Sequence, residues 1–203
     1  MTRPLTRNLK SFWTALRLML IFTVLLGIAY PLLITGIGRL AFAGQADGSL
    51  LRGTDGSAVG SALIGQEFRD ADGAPLPRYF QPRPSDAGDG YDAMASAGSN
   101  LGPESHVLVG RIAELRRQVA EFNGVPEDAV PVDAVTASGS GLDPQISPAY
   151  ARIQVQRVAE ARGLPVAEVA ALVARCTEGP DLGYLGEARV NVLRLNLALD
   201  ELR

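Results

Sequence analysis

The residues that could do chemistry in this sequence are concentrated in one glycine- and serine-rich stretch, Thr136 to Gln145. Ser140 stands between Gly139 and Gly141, which superficially suggests a serine nucleophile. The hydrolase elbow, however, requires G-x-S-x-G on a strand-to-helix turn, and the flanking residues do not supply that pattern. His106 is the only histidine in the chain, so any Ser–His–acid triad would have to use it. The pattern therefore disfavours a hydrolase.

The same stretch could instead bind a phosphate or another anion through backbone N–H groups. A P-loop needs G-x-x-x-x-G-K-[ST], and no lysine follows Lys10 in this chain. We favour a shaped turn, in which glycine takes φ values that other residues avoid. Direct binding of ATP or another anion stays open as an alternative, and its candidate residues are Ser138, Gly139, Ser140, Gly141, Asp143 and Gln145.

Other groups that could act chemically are sparse. Asp86, Asp89 and Asp92 are spaced by three residues, which does not match the alternating carboxylates of a calcium loop, and a solvated acidic loop is favoured. Cys176 is the only cysteine, so an intrachain disulfide is excluded. No cofactor is assigned to this chain, and no catalytic or metal-binding residue.

An aromatic and proline-rich segment could either contact a partner or form an edge of the core. It begins at Tyr79-Phe80 and continues as Gln81-Pro82-Arg83-Pro84-Ser85. The sequence does not separate these two interpretations. The candidate residues for a partner interface are Tyr79, Phe80, Gln81, Arg83, Tyr91 and Asn100.

An uncharged run of 21 residues, Leu18 to Gly38, precedes all of these segments. Roughly 20 helical residues cross a hydrocarbon core about 30 Å thick, so the run predicts a transmembrane helix. A cleaved signal peptide is the alternative, but its apolar region is typically only about 7–15 residues long. Thr23 and Gly27 form a small-xxx-small pair that favours docking against another helix. Pro31 should kink or loosen the helix.

Charge is divided unevenly about this run. Basic residues alone precede it, whereas every acidic residue lies at or after Asp47. The positive-inside rule therefore predicts a cytoplasmic N-terminus at residues 1–17 and an extracytoplasmic domain after the membrane. The part of the chain after Arg39 carries 14 basic and 22 acidic residues, and this net charge of −8 disfavours nucleic acid as a partner.

The sequence after the membrane predicts an α+β fold with a single mixed domain. Residues 18–38 are the predicted transmembrane helix, residues 39–60 a linker, and residues 61–203 the domain. The predicted strands are Ser61–Phe68, Val130–Thr136 and Arg189–Leu193. The predicted helices are Asn100–Asn123, Ser147–Ala161, Pro165–Cys176 and Arg194–Leu202. Residues 86–99 are predicted to form a loop.

Three stretches together resemble a known family. They are Tyr79–Ser85 with Tyr91-Asp92 and Ser99–Pro103, the stretch Val130–Pro148 with the helix that follows it, and Arg189–Asp200. With the single N-terminal anchor, they closely resemble the C subunit of the bacterial Kdp potassium-transporting ATPase over nearly the whole chain. Gln145 stands where this family more often has histidine, which argues against chemistry that needs an imidazole there.

The resemblance implies a non-catalytic subunit of a high-affinity potassium uptake pump in the bacterial inner membrane. Its implied partners are a channel-like potassium-selective subunit, a P-type ATPase subunit and a small single-helix subunit. The implied complex uses ATP, Mg²⁺ and K⁺. The family's C subunit is described as a catalytic chaperone that supports assembly and raises the ATP affinity of the ATPase subunit. Because the predicted topology puts the domain outside the cell, we expect that effect to be indirect. A brace at the external mouth of the potassium-selective subunit would act in this way.

Overall fold

The computed structural model describes residues 5–202 and divides the chain into two compact units, which meet in sequence between Ser49 and Leu50. The first unit is helical and the second mixes helices with short strands. The α+β class predicted from the sequence, with one N-terminal apolar helix, is confirmed.

The first unit is one long apolar helix that a wide turn interrupts. Residues Leu9–Ala41 are apolar enough to cross a membrane, and their 33 residues correspond to roughly 50 Å of helix. The helix is therefore longer than the hydrocarbon core of a bilayer, and its charged ends can lie among the headgroups. The elements are α1 (Leu5–Val24), a π-helical turn (Leu25–Ala29), α2 (Tyr30–Ala41) and the short α3 (Ala43–Ala46).

The second unit packs four helices around a small antiparallel sheet. A hairpin, β1 (Leu50–Arg52) with β2 (Ala58–Ser61), precedes a long irregular stretch. The remaining strands are β3 (Gln145–Ile146), β4 (Thr177–Glu178) and β5 (Arg189–Asn191), in the order β3-β5-β4. The helices are α4 (His106–Asn123), α5 (Pro148–Arg162), α6 (Val166–Arg175) and α7 (Val192–Asp200).

The core of this unit lies where α5, α6 and α7 meet the central strand β5. α5 is buried on most of its faces, which is why its hydrophobic pattern is weak and polar residues occur at its core positions. Phe80 joins this core from the irregular stretch and is fully buried. The largest apolar side chains that are fully buried are those of Phe80, Leu193, Leu195, Leu199, Val158, Val169, Val190 and Val192.

Local signals indicated the C-terminal end of α4 and both ends of α5. Ser147 caps α5 by accepting a hydrogen bond from the Tyr150 N–H at 3.0 Å, and Pro148 occupies the first helical position. Gly124 and Gly163 end α4 and α5 in the left-handed conformation, with φ of 63° and 66°. The predicted start of α4 was too early: the helix begins at His106, residues 100–105 are irregular with a turn at residues 103–104, and Asn100 has φ of 52°.

Two predicted strands are wrong. In Ser61–Phe68 only Ser61 is in a strand; the chain then turns, and the Gly65 N–H donates to Leu142 O at 2.8 Å instead of to a strand. In Val130–Thr136, Pro131 opens a 3₁₀ turn at Val132–Ala134, with the Ala134 N–H bonded to Pro131 O at 3.1 Å. Two β-branched residues of that stretch, Val130 and Val135, enter the core, whereas Val132 is exposed.

The interval predicted as a linker, residues 39–60, contains regular structure. It holds the end of α2, the short α3, strand β1 and most of strand β2. The hairpin turns through Asp55-Gly56, where Asp55 accepts hydrogen bonds from the N–H and Oγ of Ser57. An Asp-Gly pair between short apolar runs is a hairpin signal, so this element was recognisable in the sequence.

Candidate functional site

The two segments that the sequence singled out lie side by side in the second unit. We call Tyr79–Ser85 the extended segment and Thr136–Gln145 the candidate loop. Arg83 Nη1 donates to Asp143 Oδ2 at 3.0 Å, while its Nε and Nη2 donate to Thr136 O at 3.4 and 3.3 Å. The Arg83 and Asp143 side chains are only 22% and 29% exposed, so this charge pair is an internal contact between the two segments.

Ser85 and Gly141 form the closest approach of the two segments. Ser85 Oγ donates to Gly141 O at 2.6 Å and accepts from the N–H groups of Ala87 and Tyr91. Gly141 has φ of 67°, and a Cβ there would lie 2.5 Å from Ala97 O. A glycine is thus required both by the backbone conformation and by the lack of space.

Tyr91 lies in the loop of residues 86–99, which we call the acidic loop. It completes the contact between the extended segment and the candidate loop. Its hydroxyl donates to Arg83 O at 3.0 Å, and its ring lies so close to Gly65 that a Cβ there would be 2.3 Å from Tyr91 Cε1. Burial, reinforced by the negative charge of Asp143, raises the pKa of Tyr91 well above its ordinary value. The phenol is therefore a neutral hydrogen-bond donor at physiological pH, suited to holding the segments together.

Two buried amide side chains hold the extended segment from the other side. Asn196 on α7 accepts from the Phe80 N–H at 2.9 Å and donates to Phe80 O at 3.0 Å. Gln154 on α5 accepts from the Gln81 N–H at 2.7 Å and donates to Gln81 O at 3.1 Å. Each amide therefore substitutes for a neighbouring strand, and this explains why an extended segment can be buried without belonging to a sheet.

The candidates for a partner interface divide between interior and surface. Phe80 and Gln81 are buried, and Gln81 Nε2 donates to Phe68 O and Leu76 O at 3.0 Å. Of the two interpretations of this segment, the structure therefore supports the core edge at these two positions. Tyr79 is half-buried and its hydroxyl donates to Asp200 Oδ2 at 3.2 Å, whereas Asn100 is exposed.

The middle of the candidate loop faces open space. Gly139 and Ser140 are exposed, and Ser138, Asp143 and Gln145 are half-buried. An open cavity of about 590 Å³ lies against Gly139 and Ser140. A second cavity of about 740 Å³ lies on the other side of Asp143, between the candidate loop and residues 181–189. The lining of the second includes Asp133, Asp143, Asp181 and Glu187 with Arg83 and Arg189.

These surroundings suit neither an acyl-transfer site nor a phosphate cradle. The hydrogen-bond partners of Ser140 Oγ in the described chain are Ser138 Oγ and the Leu142 N–H, while His106 begins α4. The N–H groups of Gly141 and Gln145 likewise donate within the candidate loop, to Ser138 O and Asp143 Oδ1, so three of its amides are not free to bind an anion. Arg83 is already paired with Asp143, which leaves its charge neutralised towards an incoming anion.

Two of the three carboxylates of residues 86–99 also have internal partners, and the third, Asp89, is exposed. Asp86 Oδ1 pairs with Arg111 on α4 at 2.5 Å, and Asp92 Oδ1 accepts from the Met94 N–H at 2.8 Å. Within residues 5–202 no group of three or more His, Cys, Asp or Glu side chains is arranged to hold a metal ion. The loop therefore packs against α4 as a structural part of the domain.

The apolar helix of the first unit carries the other candidates, Thr23, Gly27 and Pro31. Thr23 Oγ1 donates to Met19 O at 2.7 Å, and a Cβ on Gly27 would lie 3.9 Å from Thr23 Cγ2. The π-helical turn Leu25–Ala29 immediately precedes the Tyr30-Pro31 pair. Proline has no N–H and crowds the carbonyl four residues earlier. The wide turn is therefore the local loosening of the helix that we expected at Pro31.

Sequence reasoning missed the residues that do most of the positioning. Gln154, Arg157 and Asn196 are polar residues on buried helix faces. Gln154 and Asn196 each stand between two apolar residues in the sequence, and Arg157 precedes Val158. A polar residue at a core position of a helix is an identifiable signal, because it must find a hydrogen-bond partner when buried. The sequence does not indicate that their partner would be the backbone of a segment more than 70 residues away.

Comparison with known proteins places the chain beside a single family. The family model described as KdpC, the c chain of the K⁺-transporting ATPase, matches residues 12–201. A protein of Mycobacterium tuberculosis named potassium-transporting ATPase KdpC subunit is 53% identical over 194 residues, which cover 95% of this chain and 99% of the relative. A protein of the same name from Caulobacter vibrioides is 56% identical over 184 residues, or 89% and 87% of the two chains.

Proposed function

The chain belongs to the KdpC family and is an accessory subunit of the K⁺-transporting ATPase; we propose that it supports assembly of the pump and raises the ATP affinity of its P-type ATPase subunit from outside the membrane. The partners that we propose are the potassium-selective channel-like subunit, the ATPase subunit and a small single-helix subunit. ATP, Mg²⁺ and K⁺ are then ligands of those partners and of the complex as a whole.

The observation that carries this proposal is that the side chains which join the extended segment to the candidate loop are used inside the domain. Arg83, Ser85, Tyr91 and Asp143 hold the extended segment and the candidate loop to each other. Such a junction makes a rigid body, and a rigid body on a membrane anchor is suited to bracing neighbouring subunits. This supports a subunit that contributes shape and contacts to the complex.

Charge and aromatic residues around the apolar helix support the proposed orientation. Arg3, Arg7, Lys10 and Arg17 precede the uncharged run, and Arg39 follows it. Exposed aromatic rings at Phe12 and Trp13 lie in the same basic N-terminal part, where an aromatic belt at the membrane interface is expected. We therefore propose that the N-terminus is cytoplasmic and the second unit extracytoplasmic, with the bacterial inner membrane as its location.

This orientation puts the domain and ATP on opposite sides of the bilayer. Any effect on ATP affinity must then travel through the membrane subunits as a coupling free energy, typically about 1–3 kcal/mol. Because coupling of binding is reciprocal, ATP bound to the ATPase subunit should tighten the attachment of this chain by the same factor. A brace at the external mouth of the potassium-selective subunit would satisfy that requirement.

Removal of this chain tests the assembly and affinity roles directly. With an affinity tag on the ATPase subunit, the wild-type chain should co-purify from membranes in mild detergent. A pump made without it should show lower K⁺-stimulated ATP hydrolysis, with the apparent KM for ATP raised by about 5- to 150-fold. Full activity and an unchanged KM without this chain would contradict the proposed role.

Cysteine labelling on intact cells tests the orientation. In a Cys176→Ser background, Ser140→Cys in the exposed part of the candidate loop should react with a membrane-impermeant maleimide added from outside. Ser11→Cys, on the basic side of the apolar run, is the matched control and should react only after lysis. The reverse pattern would exclude action from outside and would favour direct contact of the candidate loop with ATP.

A further inference from the structure

The turn between β4 and β5 displays apolar side chains that the folded domain does not use. Leu182, Tyr184 and Leu185 are 81%, 73% and 49% exposed. A single exposed leucine is ordinary, but three large apolar residues within four positions form a patch. We call residues 179–188 the tip.

The backbone conformation of Leu182 is strained, and a leucine side chain does not favour this turn. Leu182 has φ of 55°, in the left-handed region where glycine or asparagine is normally found. The neighbouring Gly183 and Gly186 adopt positive φ without that cost. A leucine that is both strained and exposed is explained by neither local conformation nor core packing, so its use lies outside the folded domain.

The tip is held rigidly in this shape. The N–H groups of Asp181 and Leu185 each donate to the carbonyl of the other at 2.9 Å. Arg189 Nη2 binds Asp181 Oδ1 at 2.9 Å, and Arg189 begins the central strand β5. A preorganised apolar patch loses little conformational entropy on binding, which is the property of an interface anchor.

Charge identifies the kind of surface that the tip fits. Glu178 and Asp181 pair with Arg189 and Arg194, whereas Glu187 is exposed, and the cavity that Glu187 lines has four carboxylates and only two arginines in its wall. An anionic lipid surface would repel this segment, whereas a protein pocket with an apolar floor and a basic rim complements it. The tip is also continuous with the candidate loop, since Glu187 lines the same cavity as Asp143 and Gln145.

We propose that the tip is a docking knob, with Leu182, Tyr184 and Leu185 inserted into an apolar, basic-rimmed pocket on the extracytoplasmic surface of another subunit of the same pump. This inference rests on the proposed function, because it requires the second unit to lie outside and beside its partners. Tyr184 supplies the large amphipathic side chain that dominates binding energy at many interfaces.

The test uses the complete pump, purified through a tag on another subunit. The double variant Leu182→Asn/Tyr184→Ser should dissociate from the complex at least about tenfold faster than wild type. Asparagine tolerates positive φ, so the Tm of the variant chain should stay the same or rise. Met94→Asn replaces another fully exposed apolar residue, 95% exposed on a different loop, and should change the dissociation rate by less than about twofold.

A charge variant tests the basic rim independently of the apolar contact. Glu187→Lys lies in an exposed position and should slow association several-fold at low salt, with the difference disappearing at about 1 M salt. Faster association of this variant would overturn the proposed charge of the pocket.

Unchanged dissociation of the double variant in detergent would overturn the docking knob. A loss seen only in nanodiscs that contain anionic lipid would overturn it too, since the tip would then contact the bilayer. If the wild-type chain itself does not co-purify with the other subunits, the proposed function fails first, so the two failures are distinguishable.

Discussion

Replacement of Gly141 by alanine should destabilise the second unit by about 2–5 kcal/mol. Two costs combine at this position. Its φ of 67° is unfavourable for any residue with a Cβ, and that Cβ would lie 2.5 Å from Ala97 O and 2.7 Å from the nitrogen of Ala87. Both contacts are with backbone atoms, so relief requires the candidate loop to move away from the acidic loop.

Gly139 supplies a matched control two residues earlier. A Cβ at Gly139 would meet nothing within 4 Å, and its φ is outside the left-handed region. Gly139→Ala should therefore leave stability unchanged or raise it by up to about 1 kcal/mol, because alanine restricts the unfolded chain. Thermal and urea unfolding of the full-length chain in mild detergent, followed by circular dichroism, measures both variants. Equal stability of the two variants would contradict the packing described here.

The comparison also separates shape from binding in this loop. If the glycines served mainly to expose N–H groups to an anion, both substitutions would weaken function and neither would greatly change stability. If they serve the turn, only the Gly141 substitution should weaken attachment to the pump, and it should do so together with stability. The internal bond from the Gly141 N–H to Ser138 O favours the second outcome.

The helices of this domain could be read from the sequence because their ends carry local signals. Ser147-Pro148, Gly124 and Gly163 specify caps through their own conformational preferences, so no distant contact was needed to recognise them. The apolar helix was equally predictable from length and composition.

The predicted strand Arg189–Leu193 contains β5, but most of the strands could not be predicted in this way, because the longest has only four residues. A strand that short is defined by its pairing partner, as when β3 pairs Gln145 with Asn191 of β5. Val130–Thr136 has strand-like composition but pairs with no strand within residues 5–202, and Pro131 begins a turn instead. In such a stretch, β-branched residues indicate that the chain is buried, but whether it forms a strand depends on whether another strand is available to pair with it.

The site was only half predictable for a related reason. The sequence singled out the extended segment and the candidate loop, and these do lie together. What holds the extended segment against α5 and α7 is a set of long-range hydrogen bonds to backbone atoms. Backbone acceptors have no sequence signature, so Gln154, Arg157 and Asn196 could not be matched to their partners.

Arg157 makes the most extensive of these contacts, and its replacement by methionine should cost about 3 kcal/mol or more. It is 8% exposed, and it donates to the carbonyls of Pro77 and Tyr79. Its other donors reach Asn123 Oδ1 at 2.9 Å and Gln154 Oε1 at 2.8 Å. Burial lowers the pKa of Arg157 to about 10, so it remains charged at neutral pH while neutral oxygens alone accept its hydrogen bonds.

Methionine would fill much of the same volume but would leave these acceptors without donors. Buried acceptors that lose their partners cost about 1–3 kcal/mol each, and removal of a buried cation offsets part of that loss. Arg152→Met is the matched control, because Arg152 lies on the same helix with its side chain exposed. That substitution should change stability by less than about 0.5 kcal/mol.

Hydrogen exchange can locate the effect of Arg157→Met as well as measure it. If the guanidinium holds the extended segment, the amides of Phe80 and Gln81 should lose protection before those of α6, which the arginine does not contact through a hydrogen bond. Uniform loss of protection across the domain would mean that Arg157 acts mainly by joining α5 to α4, through Asn123 and its stacking 4.3 Å from the Phe122 ring. Only selective exposure of the segment would link this buried charge to the junction with the candidate loop, because Arg83 and Ser85 continue the same stretch of chain.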